Sequence, residues 1–190
     1  MRPFLFALFA AVALSACTSD EAEGTDEVVE DTTMVSETPV IGDPGLTPAQ
    51  TDSLLALGHA VLVPTDPGAF HLDSVTVEMD PAFYSFTYGR DDSTCVTITG
   101  ASEGLGGPGL PLDSLVVEVP ALSRGVSVHR AGPGGEEADS WGANAIISNW
   151  IEIDGMYANV ISRDEGTCRG LTLDETADFI SGLRRLDGGE

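Results

Sequence analysis

Three cysteines, three histidines and 31 carboxylates are the side chains in this 190-residue chain whose types suit nucleophilic, metal or acid-base chemistry. Their spacing withholds most of it. Cys95 and Cys168 have no C-x-x-C partner and no histidine beside them, so neither carries the local signature of a redox or nucleophilic thiol. His59, His71 and His129 are scattered, with no H-E-x-x-H and no pair four residues apart, and no zinc site is expected. Asp91-Asp92, Asp164-Glu165 and Glu136-Glu137-Asp139 fall in expected loops but lack the alternating oxygen ligands and glycine of a calcium loop. Every one of the eight basic residues is arginine, which removes Schiff-base chemistry, a Ser-Lys dyad and a P-loop lysine. Gly104-Leu105-Gly106-Gly107-Pro108-Gly109 follows a strand pattern, yet it has no lysine, no amphipathic helix follows it and Pro108 removes a backbone donor, so a flexible or specially turned loop is expected in preference to a phosphate cradle. It reads as a specially turned loop that can wall a binding site, with Gly106 and Gly107 as contact candidates. No G-x-S-x-G elbow surrounds Ser123, Ser127, Ser140 or Ser148. Paired carboxylates for hydrolysis are set only in space. Trp141, in a loop between Ser140 and Gly142, is read first as packing over a core edge and, if exposed, as the recognition candidate for a partner, carbohydrate or lipid. No catalytic residue, metal or cofactor is assigned, and the chain is expected not to be an enzyme.

The third cysteine is different because of what precedes it. Residues 1–16 have one basic residue, Arg2, an apolar core from Phe4 to Leu14, and small Ser15 and Ala16 before Cys17: the parts of a secretory leader, too short to span a bilayer. An ordinary cleaved leader would leave Cys17 a free thiol near the mature N-terminus. Leu14-Ser15-Ala16-Cys17 resembles the lipobox of bacterial lipoproteins. That resemblance implies a diacylglyceryl thioether on Cys17, cleavage before it and usually a further acyl chain on the new amino group. Each buried methylene contributes about 0.8 kcal/mol, so two or three chains anchor stably where one binds reversibly. The implied location is the bacterial cell envelope, and Thr18, standing where an aspartate would hold such a protein at the inner membrane, favours the outer membrane, at its periplasmic face or the cell surface.

With Cys17 lipidated, Cys95 and Cys168 remain as a pair in an oxidising compartment, and a disulfide is expected between them. Closing a loop of this length stabilises the fold by about 4 kcal/mol at most in the chain-entropy model. Residues 17–45 hold nine acids from Asp20 to Asp43 and no base. Such a segment repels itself and stays extended, which makes it an acidic disordered tether. With a formal net charge of −23, nucleic acid and anionic surfaces are poor partners.

Residues 46–187 are then one domain of ordinary size. Thr47, Pro48 and Gln50 open a short helix of about ten residues that Gly58 ends. Strand patterns follow at 60–63, 75–79, 84–88 and 95–99, the last three as an antiparallel meander in which Tyr84, Phe86 and Tyr88 share a face opposite Ser85 and Thr87. Strands resume at 115–119 and 126–129. A hairpin closes the series, 147–153 and 156–162, around Asp154-Gly155, which favours a type I′ turn pairing Ile153 with Met156 and Ile151 with Ala158, with Glu152 facing Tyr157 and Trp150 facing Asn159. Thr172 and Glu175 cap a last amphipathic helix whose Leu173, Ala177, Ile180 and Leu183 must bury against the sheet, with Arg184 and Arg185 at its negative end. The expected class is α+β: an antiparallel sheet of about six or seven strands, a short N-terminal helix and a C-terminal helix on the sheet. The turn at Val63-Pro64 and the run from Trp150 through Asp154-Gly155-Met156-Tyr157 to Thr172 resemble uncharacterised exported domains of bacterial lipoproteins and membrane-tethered proteins, which implies a fold rather than an activity.

Three functions are compatible with these residues. The first is a membrane-anchored envelope lipoprotein whose domain binds a protein or a small apolar ligand without catalysis. The second is a carrier or sensor of an apolar molecule held in a cavity between sheet and helix lined by Phe86, Trp150 or Ile180. The third is an envelope hydrolase that uses carboxylates.

Overall fold

Tyr84, Phe86 and Tyr88 are fully buried, whereas Ser85 and Thr87 between them are only half-buried. Because successive strand residues point to opposite faces, this contrast divides the sheet into a core face and an outer face. The computed structural model describes residues 45–103, 111–132, 141–142 and 144–186. Among these the order is α1 (Pro48–Leu55), β1 (Leu62–Pro64), β2 (His71–Met79), β3 (Ala82–Gly89), β4 (Thr94–Ala101), β5 (Pro111–Val119), a single 3-10 turn (Pro120–Leu122), β6 (Arg124–Ala131), β7 (Ile146–Ser148), β8 (Ile151–Ile153), β9 (Met156–Ser162), β10 (Arg169–Gly170), α2 (Leu173–Ser181) and β11 (Leu183–Arg185). The class is α+β and the pairing mostly antiparallel. Within the described residues eleven strands form two sheets, more than the six or seven expected.

The large sheet runs β2-β3-β4-β9-β7-β6-β5, with β8 also beside β9 and β10 lying parallel to β4. The expected meander is β2-β3-β4, and the hairpin is in the expected register: Ile153 opposite Met156, Glu152 opposite Tyr157, Ile151 opposite Ala158. Asp154 and Gly155 both have positive φ, 47° and 76°, as a type I′ turn requires. Upstream the ladder breaks at Asn149 and Trp150, so Ile147 pairs with Ile161 one residue out of step with β8, and no ladder pair joins Trp150 to Asn159.

α2 lies on the core face, opened by the reciprocal Thr172–Glu175 capping box, and buries Phe179 and Ile180. Phe179 meets the rings of Phe70 at 5.4 Å and Tyr88 at 5.8 Å. α1 has the same device, the Thr47 amide donating to Gln50 Oε1 at 2.8 Å. The last helix departs from expectation. It stops at Gly182, and Leu183–Arg185 forms β11, which pairs with β1. Burial of the whole of β1 explains why, since its backbone groups have no water to bond and need a strand partner. The other side of β1 is met by a side chain: the Leu62 amide donates to the Tyr84 hydroxyl at 3.0 Å. Tyr84 reaches it because its ring crosses Gly100, where a Cβ would lie 2.2 Å from Cε1 of the ring. No helix among the described residues is long and apolar enough to cross a membrane.

Candidate functional site

Since the core claims Tyr84, Phe86 and Tyr88 of β3 and Val96 and Ile98 of β4, the residues between them must face outward. They are Phe83, Ser85 and Thr87, and Cys95, Thr97 and Thr99. Register places Ser85 opposite Thr99 and Thr87 opposite Thr97. Beyond β4, Ile161 of β9 faces the same way, opposite Thr97. There the outer face is covered: Ala131, Ala145, Ile147 and Ile161 form a second apolar cluster, with Trp141 packed against it. Among the described residues the last member of this cover is Trp141, and beside it lies a groove of about 490 Å³. Its floor is Ser85, Thr87, Thr97 and Thr99, its apolar walls Phe83, Ile161 and the indole of Trp141, and its end the Cys95–Cys168 disulfide with Arg163 and Glu165.

The disulfide joins residues 73 apart in sequence with a Cα–Cα distance of 5.4 Å, within the usual range for such a bond. Cys95 has Gly89 as its cross-strand neighbour on β3. Cys168 is delivered by a tight turn in which Glu165 and Cys168 exchange backbone hydrogen bonds of 3.1 and 2.8 Å, after which β10 pairs with the start of β4. Arg163 carries the groove's positive charge and Glu165 its negative one. Nη2 and Nε of Arg163 donate to Glu165 Oε2 at 2.6 and 2.9 Å, while the guanidinium carbon lies 5.1 Å from the centre of the Trp141 ring. The ion pair neutralises the rim, and the stacking holds the indole in place.

A denser charged cluster lies where the β3–β4 turn meets α2. Arg90 Nη2 donates to Asp92 Oδ2 and Glu175 Oε1, both at 3.2 Å, and to Thr94 Oγ1 at 3.3 Å, with its guanidinium 5.1 Å from the Phe70 ring. Arg169 Nη2 adds bonds to Thr94 Oγ1 at 2.7 Å and Asp92 Oδ2 at 3.2 Å. Hydrogen bonds from Thr94, side chain first, hold Asp92 down to a pKa of about 2, with Arg90 assisting. Glu175 is lowered by the Thr172 amide and hydroxyl and then by Arg90. A general acid needs a carboxyl raised toward the working pH, and these two are shifted the other way. The cluster ties turn, disulfide and helix start together.

Of the residues singled out from sequence, Trp141, Cys95, Cys168 and Glu165 meet at one groove. Cys17, Gly106, Gly107, Glu136, Glu137, Asp139 and Ser140 lie outside the described residues. His71 Nε2 is 2.9 Å from Asp73 Oδ1 at an exposed edge, and His129 is buried in the sheet. Asp164 accepts the Gly170 amide at 2.8 Å. Among the described residues no three His, Cys, Asp or Glu side chains gather as a metal site. The hydrophobic positions named for an internal cavity do not border the groove: Phe86 and Ile180 are fully buried in the continuous core, and Trp150 lines a separate shallow depression with Val116 and Ser127. The groove's hydroxyl floor went unnamed although the alternation in β3 and β4 contained it. Arg163 carries no sequence signal and Glu165 reads only as a solvated loop acid, because only the fold brings them beside Trp141. No protein-family model, curated protein or solved structure matches the chain.

Proposed function

We propose that this chain is a lipid-anchored bacterial envelope protein, held by Cys17 through an acidic tether, whose folded domain binds a ligand without catalysis in the outer groove beside Trp141. The observation that carries the binding reading is the groove itself, a concavity of about 490 Å³ with apolar walls and a polar floor, the mixture that small-ligand sites present. The anchoring part rests on the leader and Leu14-Ser15-Ala16-Cys17. An apolar carrier function would use this outer groove, because the space between sheet and α2 is occupied by side chains such as Phe86 and Ile180.

Two measurements test the two halves. Intact mass of the protein from its native membrane is expected to show acyl additions at Cys17, and Cys17→Ser is expected to abolish incorporation of labelled palmitate; an unacylated native chain refutes the anchor. Amide chemical shifts of the soluble domain, titrated with fractionated envelope glycans, lipids and peptides, are expected to move at Ser85, Thr87, Thr97, Thr99 and Ile161. Shifts confined to other surfaces, or none at all, refute the groove as the site.

A further inference from the structure

The groove's chemistry narrows the ligand, on the reading that it is a binding site. Its floor is a grid: Ser85 opposite Thr99 and Thr87 opposite Thr97, extended onto β2 by the exposed Thr76 opposite Ser85 and Ser74 opposite Thr87. Ladder geometry spaces these hydroxyls by about 5 Å across strands and about 7 Å along them. Within the described residues no hydrogen bond engages the four floor hydroxyls, each of which can donate and accept. A fatty chain laid over them would strip their water and return nothing. A ligand that carries its own hydroxyls would replace that water bond for bond, while its C–H surfaces pack on Phe83, Ile161 and the Trp141 wall.

Charge narrows it further. Among the described residues Arg163 and Glu165, paired at 2.6 Å, are the charged side chains that line the groove and they balance each other, while the chain's −23 repels polyanions at longer range. We propose that the groove binds an uncharged oligosaccharide, its ring hydroxyls on the serine-threonine grid and its apolar ring faces against the aromatic walls. The hydroxyl grid supplies the fit and the walls exclude water around it. Arg163 acts as a positioning residue, holding the indole that closes one side.

The test uses the disulfide-bonded soluble domain and isothermal titration with cellohexaose, maltohexaose and chitohexaose, beside oligogalacturonate and palmitate as charged and apolar probes. At least one neutral hexaose is expected to bind and to move the amides of Thr97 and Thr99. Thr97→Val/Thr99→Val, which keeps branched side chains on the strand, is expected to weaken that binding about ten-fold, and Trp141→Ala to weaken it at least as much, with thermal unfolding confirming that both variants fold. If palmitate binds in a Trp141-dependent way and no hexaose does, the oligosaccharide is refuted while the groove stands as a site. Oligogalacturonate binding that ignores the double valine variant also refutes it. If no probe moves a groove amide, both the oligosaccharide and the groove reading fail.

Discussion

Replacing Tyr84 by phenylalanine isolates one hydrogen bond on which the second sheet depends. The hydroxyl accepts the Leu62 amide at 3.0 Å, and both residues are essentially inaccessible, Tyr84 at 0% and Leu62 at 1% exposure. Phenylalanine keeps the ring over Gly100 and its packing on Phe86 at 5.2 Å, so the change removes the acceptor and leaves a buried N–H with no partner. Such a donor costs about 1–3 kcal/mol. With a urea slope of about 2 kcal/mol/M, the unfolding midpoint is expected to fall by roughly 0.5–1.5 M at unchanged slope. The measurement is equilibrium urea unfolding of the disulfide-bonded domain followed by far-UV circular dichroism. Burial also raises the pKa of Tyr84, the lost hydration of the phenolate outweighing the Leu62 amide, so the wild-type phenol is expected to stay protonated to higher pH than an exposed tyrosine in a spectroscopic titration. A midpoint for the phenylalanine variant equal to wild type would refute the claim that this hydroxyl completes the bonding of β1.

Gly100→Ala is expected to destabilise by about 1–3 kcal/mol through overpacking, because the added Cβ falls 2.2 Å from a Tyr84 ring that the core holds fixed; thermal unfolding checks it, and an unchanged midpoint contradicts the packing. Cys95→Ala/Cys168→Ala is expected to cost up to about 4 kcal/mol, the loop-closure value for residues 73 apart, read as a lower urea midpoint. For pH, Asp92 is lowered from 3.8 to about 2, so its contribution is complete above the unfolded value near 4 and is lost as pH falls toward 2, with Glu175 acting in the same direction. Asp92→Asn is therefore expected to flatten the loss of stability between pH 4 and 2, and a profile as steep as wild type would contradict the assignment.

Local signals in the sequence were enough to give both capping boxes, the meander, the register of the Asp154-Gly155 hairpin and the burial of Tyr84, Phe86 and Tyr88. Each depends on residues within a few positions of one another, or on strict alternation along one strand. The Cys95–Cys168 pairing followed from counting sulfurs once Cys17 was set aside. The end of α2 did not follow, because Leu183, Arg184 and Arg185 carry a pattern compatible with another helical turn. What decided it was β1, more than a hundred residues upstream, buried and in need of a strand partner. The groove had the same kind of origin. Alternation already placed Thr97 and Thr99 on the outer face, and Trp141 stood out as an aromatic expected in a loop, although the structure makes it helical, but nothing local stated that they border one space. That depends on β9 lying beside β4 and on a second apolar cluster against which Trp141 packs. One-dimensional periodicity determines which way a side chain faces, whereas which residues face each other is set by strand order, and strand order is a competition among burial and backbone hydrogen bonds over the whole chain.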